Sequence, residues 1–125
     1  MRLLLVLAMM LRGSIDVTPD SVTLLNGAMQ GRFGYTLPSY LSAIYGVYMG
    51  DCKDLMIVTG GGDAYENYFT VMFYNDGELV HTQTAQFAPW SDIVIYTTFQ
   101  FDAVLVVNGG NKTMTIAQLW AWWQY

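Results

Sequence analysis

Along most of this chain, apolar residues arrive in short runs of β-formers, and glycine separates one run from the next. Gly13, Gly27, Gly31, Gly34, Gly46, Gly50, the triplet Gly60 to Gly62, Gly77 and the pair Gly109 and Gly110 punctuate segments rich in Val, Ile, Thr, Tyr and Phe. That rhythm predicts an all-β or mostly β chain. The strongest local signal is residues 67–87, NYFTVMFYNDGELVHTQTAQF. Asp76 and Gly77 suit a two-residue type I′ turn, whose central positions both need positive φ. A tight hairpin then sets Asn75 opposite Glu78, Tyr74 opposite Leu79, Phe73 opposite Val80, Met72 opposite His81 and Val71 opposite Thr82. Phe69, Val71, Phe73 and Val80 fall on one face, and Tyr68, Met72, Tyr74, Leu79 and His81 on the other. Both faces carry apolar bulk, as in a sheet covered on both sides.

The alternation continues through residues 91–101, SDIVIYTTFQF, with Ile93, Ile95, Phe99 and Phe101 on one face. Val94, Tyr96, Thr98 and Gln100 take the other. Residues 54–62, DLMIVTGGG, and 103–110, AVLVVNGG, read as buried strands, and Gly109–Gly110 turns the chain into a last strand from Lys112 to Tyr125. Residues 38–50, PSYLSAIYGVYMG, are where a helix competes: Pro38 suits a first turn, and Leu41, Ile44, Tyr45 and Tyr48 have helical spacing. Gly46 and the tyrosines count against it. The expected architecture is a single compact β-sandwich or barrel-like domain over residues 1–125, with at most one short helix. No linker, charge block or repeat divides the chain.

The amino terminus, MRLLLVLAMML, holds nine consecutive apolar residues from Leu3 to Leu11. A membrane-spanning helix needs about 20, so the segment reads as a buried strand or short buried helix. A targeting segment is the alternative, although Arg12 interrupts any small-x-small cleavage pattern.

Composition changes the picture in one respect. Charged residues make up only 12% of the chain, against 54% hydrophobic, where about 25% charged is ordinary. Part of the surface is therefore expected to face protein or lipid rather than water. Ten acids against five bases give a net charge of -5, and Arg2, Arg12, Arg32, Lys53 and Lys112 are scattered. Nucleic-acid binding normally leaves a basic footprint, so no nucleic-acid partner is expected.

Candidate chemistry is thin. Cys52 is the single cysteine, which excludes an intrachain disulfide and a cysteine-based zinc site. Its position between Asp51 and Lys53 reads as a loop or partly buried thiol. His81 is the single histidine, and no third group is placed to complete a catalytic triad with it and Cys52. Asp51, Asp54, Asp63 and Glu66 flank the strand at 55–62 without the dense spacing of a calcium loop. The Gly60–Gly62 segment lacks the Lys and hydroxyl of a phosphate loop. Asn111–Lys112–Thr113 matches a short glycosylation pattern. Catalytic, cofactor and metal residues are accordingly expected to be absent.

That leaves the tail, AQLWAWWQY. As a strand it places Leu119, Ala121, Trp123 and Tyr125 on one side and Trp120 and Trp122 on the other. Aromatic enrichment marks interface cores, so Trp120, Trp122, Trp123 and Tyr125 are the candidate interface residues. The reading these features favour is a non-enzymatic structural subunit of a virus or phage particle, located in the virion. Its partners would be copies of itself or other particle subunits. The alternative is a secreted or surface carbohydrate-binding β-sandwich module whose exposed tryptophans stack on sugar rings, with glycan as partner.

Overall fold

A computed structural model describes residues 16–62 and 67–123. The expectation for Leu3–Leu11 lies outside the described residues, as do Asp63, Glu66 and Tyr125. Ten strands follow one another: β1 (Asp16–Val17), β2 (Ser21–Leu25), β3 (Met29–Gly31), β4 (Gly34–Leu37), β5 (Ala43–Gly62), β6 (Tyr68–Asn75), β7 (Glu78–Gln86), β8 (Asp92–Ile95), β9 (Phe101–Asn108) and β10 (Met114–Trp123). All pairings are antiparallel, and no helix occurs among the described residues.

The helix weighed at residues 38–50 is a turn followed by strand. Leu41 takes a φ of 69°, and the Ser42 hydroxyl donates to the Asn26 carbonyl at 2.9 Å. From Ala43 the β-formers Ile44, Tyr45, Val47 and Tyr48 run directly between β2 and β9. Strand partners on both sides outweigh the helical spacing of four residues.

β5 runs for 20 residues and serves two layers. Its first half pairs β2 and β9, and its second half pairs β8 and β10. The bend lies between them, where Gly50 has a φ of 120° and Asp54 of 64°. Pairing with β9 jumps there from Val47–Ala103 to Cys52–Phe101. One layer therefore reads β2-β5-β9-β6-β7. The other reads β8-β5-β10-β4-β3, with β1 beside the end of β10. Face to face, the two halves enclose one hydrophobic core, the arrangement of a β-sandwich. Ile44, Phe69, Val71, Phe73, Val104 and Val106 come from the first layer, and Leu37, Leu55, Ile57, Ile116 and Leu119 from the second.

Directional contacts lock the halves together. Phe73 sits edge-on to Phe99 and Phe101, with centroids 5.2 and 5.0 Å away. The Tyr48 hydroxyl donates to the Leu119 carbonyl at 3.3 Å; burial pushes its pKa well above the usual tyrosine value, which keeps it a donor. Asp54 and Thr97 bond reciprocally, Thr97 N to Asp54 Oδ1 at 2.7 Å and Asp54 N to Thr97 Oγ1 at 3.0 Å. That pair pins the segment between β8 and β9 to the bend. Residues 91–101 are thus β8, an irregular stretch and the start of β9 rather than one strand, although Ile95 and Phe101 do face inward.

The 67–87 hairpin forms with two corrections: its register shifts, and its second face, with Tyr68 and Leu79, is open to solvent rather than covered. Asp76 (φ 52°) and Gly77 (φ 82°) have the positive angles of a type I′ turn. Asn75 faces Glu78 and Tyr74 faces Leu79, but Val80 is then an extra residue. Phe73 faces His81, Met72 faces Thr82 and Val71 faces Gln83. The bulge moves His81 to the Phe73 face, where its ring lies 5.0 Å from Phe99.

Two predictions follow from these contacts. Gly77→Val places a β-branched side chain at positive φ in otherwise open space, so the cost is conformational, roughly 1–2 kcal/mol. Thermal unfolding should shift down by several degrees; an unchanged midpoint would contradict the turn geometry. Asn108 is fully buried, and its Nδ2 donates to the carbonyls of Leu37 and Lys112 at 2.9 and 2.8 Å. Asn108→Ala removes both bonds and takes from the Gly110 N–H the Oδ1 it donates to at 3.0 Å, while the Lys112 carbonyl keeps Asn67 Nδ2 at 3.1 Å; denaturant titration should show a loss of roughly 2–4 kcal/mol.

Candidate functional site

The outer face of the second layer carries a cleft of about 570 Å³, a size that suits small ligands. One wall is the turn of the β3–β4 hairpin, Gly31–Arg32–Phe33–Gly34, where Gly31 pairs with Gly34. Phe33, at its tip, is 79% exposed. The Arg32 guanidinium carbon lies 5.5 Å from the centre of the Phe33 ring, a cation–π contact that orders both side chains. Gly34 is required here: its φ is 131°, and a Cβ would collide with the Ile116 carbonyl and Ala117.

The opposite wall is Trp90, 80% exposed on the connection between β7 and β8. Buried Thr59 holds that connection at both ends. Its hydroxyl donates to the Ala88 carbonyl and accepts from Ser91 N at 2.9 Å, while its own N–H donates to the Ser91 carbonyl at 2.8 Å. Trp90 N donates to the Gly60 carbonyl at 3.0 Å, and Trp90 adopts a φ of 55°. A bulky residue at positive φ is strained, and such strain concentrates at functional sites. The indole lies over Gly61, with Cζ2 3.2 Å from where a Cβ would stand.

Gly60, Gly61, Thr36, Thr115 and Ala117 form the floor. The β5–β10 ladder is interrupted here. Between Gly62–Met114 and Thr59–Ile116 there is an extra residue on β5, and between Thr59–Ile116 and Val58–Gln118 one on β10. Bulges of this kind re-aim side chains beside binding sites. The result is a slot with aromatic walls, little side-chain bulk below, and Thr hydroxyls and a guanidinium to meet polar groups. Among the described residues its lining contains no Asp, Glu, His or Cys.

The residues singled out from sequence lie elsewhere. Cys52 is buried within β5 rather than in a loop. Burial, helped by Asp51, Asp102 and Asp20, pushes its thiol up to about 12. His81 is exposed on β7, with Nε2 3.4 Å from Gln83 Oε1. Asp54 is spent on Thr97, and no cluster of three His, Cys, Asp or Glu stands at metal-binding spacing among the described residues. Trp120 and Trp122 are half-buried on the outer face of β10, the cleft's own face, while Leu119 and Ala121 point into the core. Trp123 packs against that core, and its buried Nε1 has no hydrogen-bond partner. Phe33 and Trp90 were missed by the sequence reading, and Arg32 entered it only as a scattered charge. Each stands at a turn between strands, and an aromatic or cationic residue at a turn was the available signal.

The sequence matches no protein-family model and no curated protein. Its fold does have solved counterparts. A low-affinity xylan-binding module, CBM86, from the xylanolytic gut symbiont Roseburia intestinalis superposes with a TM-score of 0.61 at 11% identity, over 86% of this chain and 93% of that one. The CBM32 module of AlyQ, solved with 4,5-unsaturated mannuronic acid, gives 0.61 at 11% identity, over 86% and 97%. A fucose-binding module of Streptococcus pneumoniae gives 0.57 at 14% identity, over 90% and 93%. At these identities the likeness establishes the β-sandwich fold. Because the neighbours that share it are carbohydrate-binding modules, the expectation of a virus or phage particle subunit, with its virion location and assembly role, is corrected.

Proposed function

We propose that this chain is a carbohydrate-binding module that holds glycan between Phe33 and Trp90. The observation that carries the reading is the pair of well-exposed aromatic rings fronting a glycine-floored slot. A pyranose ring presents C–H groups on its faces and hydroxyls around its rim. The electron-rich face of an aromatic ring complements those C–H groups, and rim hydroxyls find partners in Thr36, Thr115, Arg32 and backbone carbonyls. Gly60 and Gly61 let the Thr115 methyl and the Trp90 indole lie close against the sheet, which fixes the wall that the sugar would stack on. The fold neighbours from Roseburia intestinalis and Streptococcus pneumoniae bind xylan and fucose by their descriptions, which supports the reading. A secreted or cell-surface location, where such polymers occur, and a single module over residues 1–125 belong to the same proposal.

Calorimetric titration against soluble xylan, cello-oligosaccharides, alginate oligosaccharides and fucosylated glycans tests it. At least one should bind the wild type, and Trp90→Ala and Phe33→Ala should each weaken that binding on the order of tenfold with the fold intact, about the scale of a stacked aromatic contact. Full binding by folded Trp90→Ala, or silence across the whole panel, would overturn the cleft as a glycan site.

A further inference from the structure

On β10 the cleft is lined by Thr115 and Ala117. Beyond the bulge, β10 continues with Gln118, Trp120 and Trp122 facing outward. Met114 and Ile116 point inward on even positions, and Leu119 and Ala121 on odd ones; the extra residue at the bulge makes that switch. Without it, the same strand would turn its tryptophans into the core. Trp120 is held further, its Nε1 donating to Gln118 Oε1 at 2.7 Å, so the indole is oriented along the strand. Met56 lies opposite Trp120, and Val94 opposite Met56, giving the row an apolar flank.

Resting on the cleft as a glycan site, we infer that the binding surface runs along β10 from Thr115 to Trp122 and takes an internal stretch of an extended, uncharged polysaccharide. The occupant follows from length and charge. Eight residues of strand span roughly 23 Å, the length of several pyranose rings end to end, with aromatic contacts at both ends of the row and the Gln118 amide between them. Asp92 borders the row opposite Val58, which itself faces Gln118, and Asp16 lies opposite Trp122. Lys53 also lies opposite Trp122, so the row carries no surplus of positive charge, and the chain's net charge of -5 disfavours a polyanion. A neutral chain meets no such cost.

The test is a length series: xylobiose through xylohexaose and cellobiose through cellohexaose, titrated against wild type, Trp120→Thr with Trp122→Thr, and Gln118→Ala. Wild-type affinity should climb with chain length well past the disaccharide. The double variant should lose about tenfold for the longest ligand and keep wild-type affinity for the shortest. Gln118→Ala, an exposed change that spares the core, should flatten the series in the same sense if the double variant fails to fold. A wild-type affinity that stops rising at the disaccharide overturns the extended surface, as does a folded double variant that keeps the full length dependence. Tighter binding of alginate oligosaccharides than of neutral ones of equal length also overturns it. In each of those outcomes Trp90→Ala still weakens binding; if it does not, the cleft reading has failed instead.

Discussion

The bend in β5 is the constraint on which the other features depend. Twenty residues of strand cannot remain in one flat layer of so small a protein, and a sheet with one apolar face must cover it. Positive φ at Gly50 and Asp54 folds the ladder over, so that one strand supplies the middle of both layers. The core then closes with few crossing contacts. Phe73 and Phe101 fill the centre, Tyr48 reaches from the bend to the Leu119 carbonyl, and Asn108 ties the far end to Leu37. The reciprocal bonds between Asp54 and Thr97 explain how an acid sits at positive φ: its carboxylate holds the neighbouring segment in place.

The cleft is a consequence of how that ladder ends. Past Thr59 the pairing of β5 and β10 loses regularity, and the residues at the irregularity are Gly60, Gly61 and Ala117. Small residues there leave a depression, and the buried Thr59 hydroxyl fixes the loop that overhangs it. Rigidity comes from inside and chemistry from outside: Thr59 is buried, while Trp90, next in the chain to the Ser91 that Thr59 bonds, stands in solvent. Such pre-ordering matters for a binding site because each side chain immobilised on association costs free energy.

The low proportion of charge also finds a physical place. The outer faces carry Thr, Gln, Tyr and Trp side chains, such as Thr36, Thr115, Gln118 and the edge-on pair Tyr45 and Tyr74. Polar but uncharged surface of this kind suits a ligand whose recognition is made of hydroxyls and C–H faces. Apolar excess at the sequence level therefore does not demand a second protein chain.

Local chemistry made much of the fold legible. The Asp76–Gly77 turn, the buried strands at 54–62 and 103–110, the facing of Leu119 and Ala121 and the all-β class all rest on turn residues and two-residue alternation, which act over a few positions. Bulges broke what alternation alone could carry. The extra residue at Val80 changed every pair beyond Tyr74, and the helical spacing at residues 38–50 lost to strand partners distant in sequence. The cleft lay further out of reach, because Arg32 and Phe33 meet Trp90 only after β3–β4 and the β7–β8 connection are brought to one face by β5 and β10. Which aromatic is a wall, which is core and which is platform is a matter of that juxtaposition, and residues nearly sixty positions apart acquire it only through the tertiary structure.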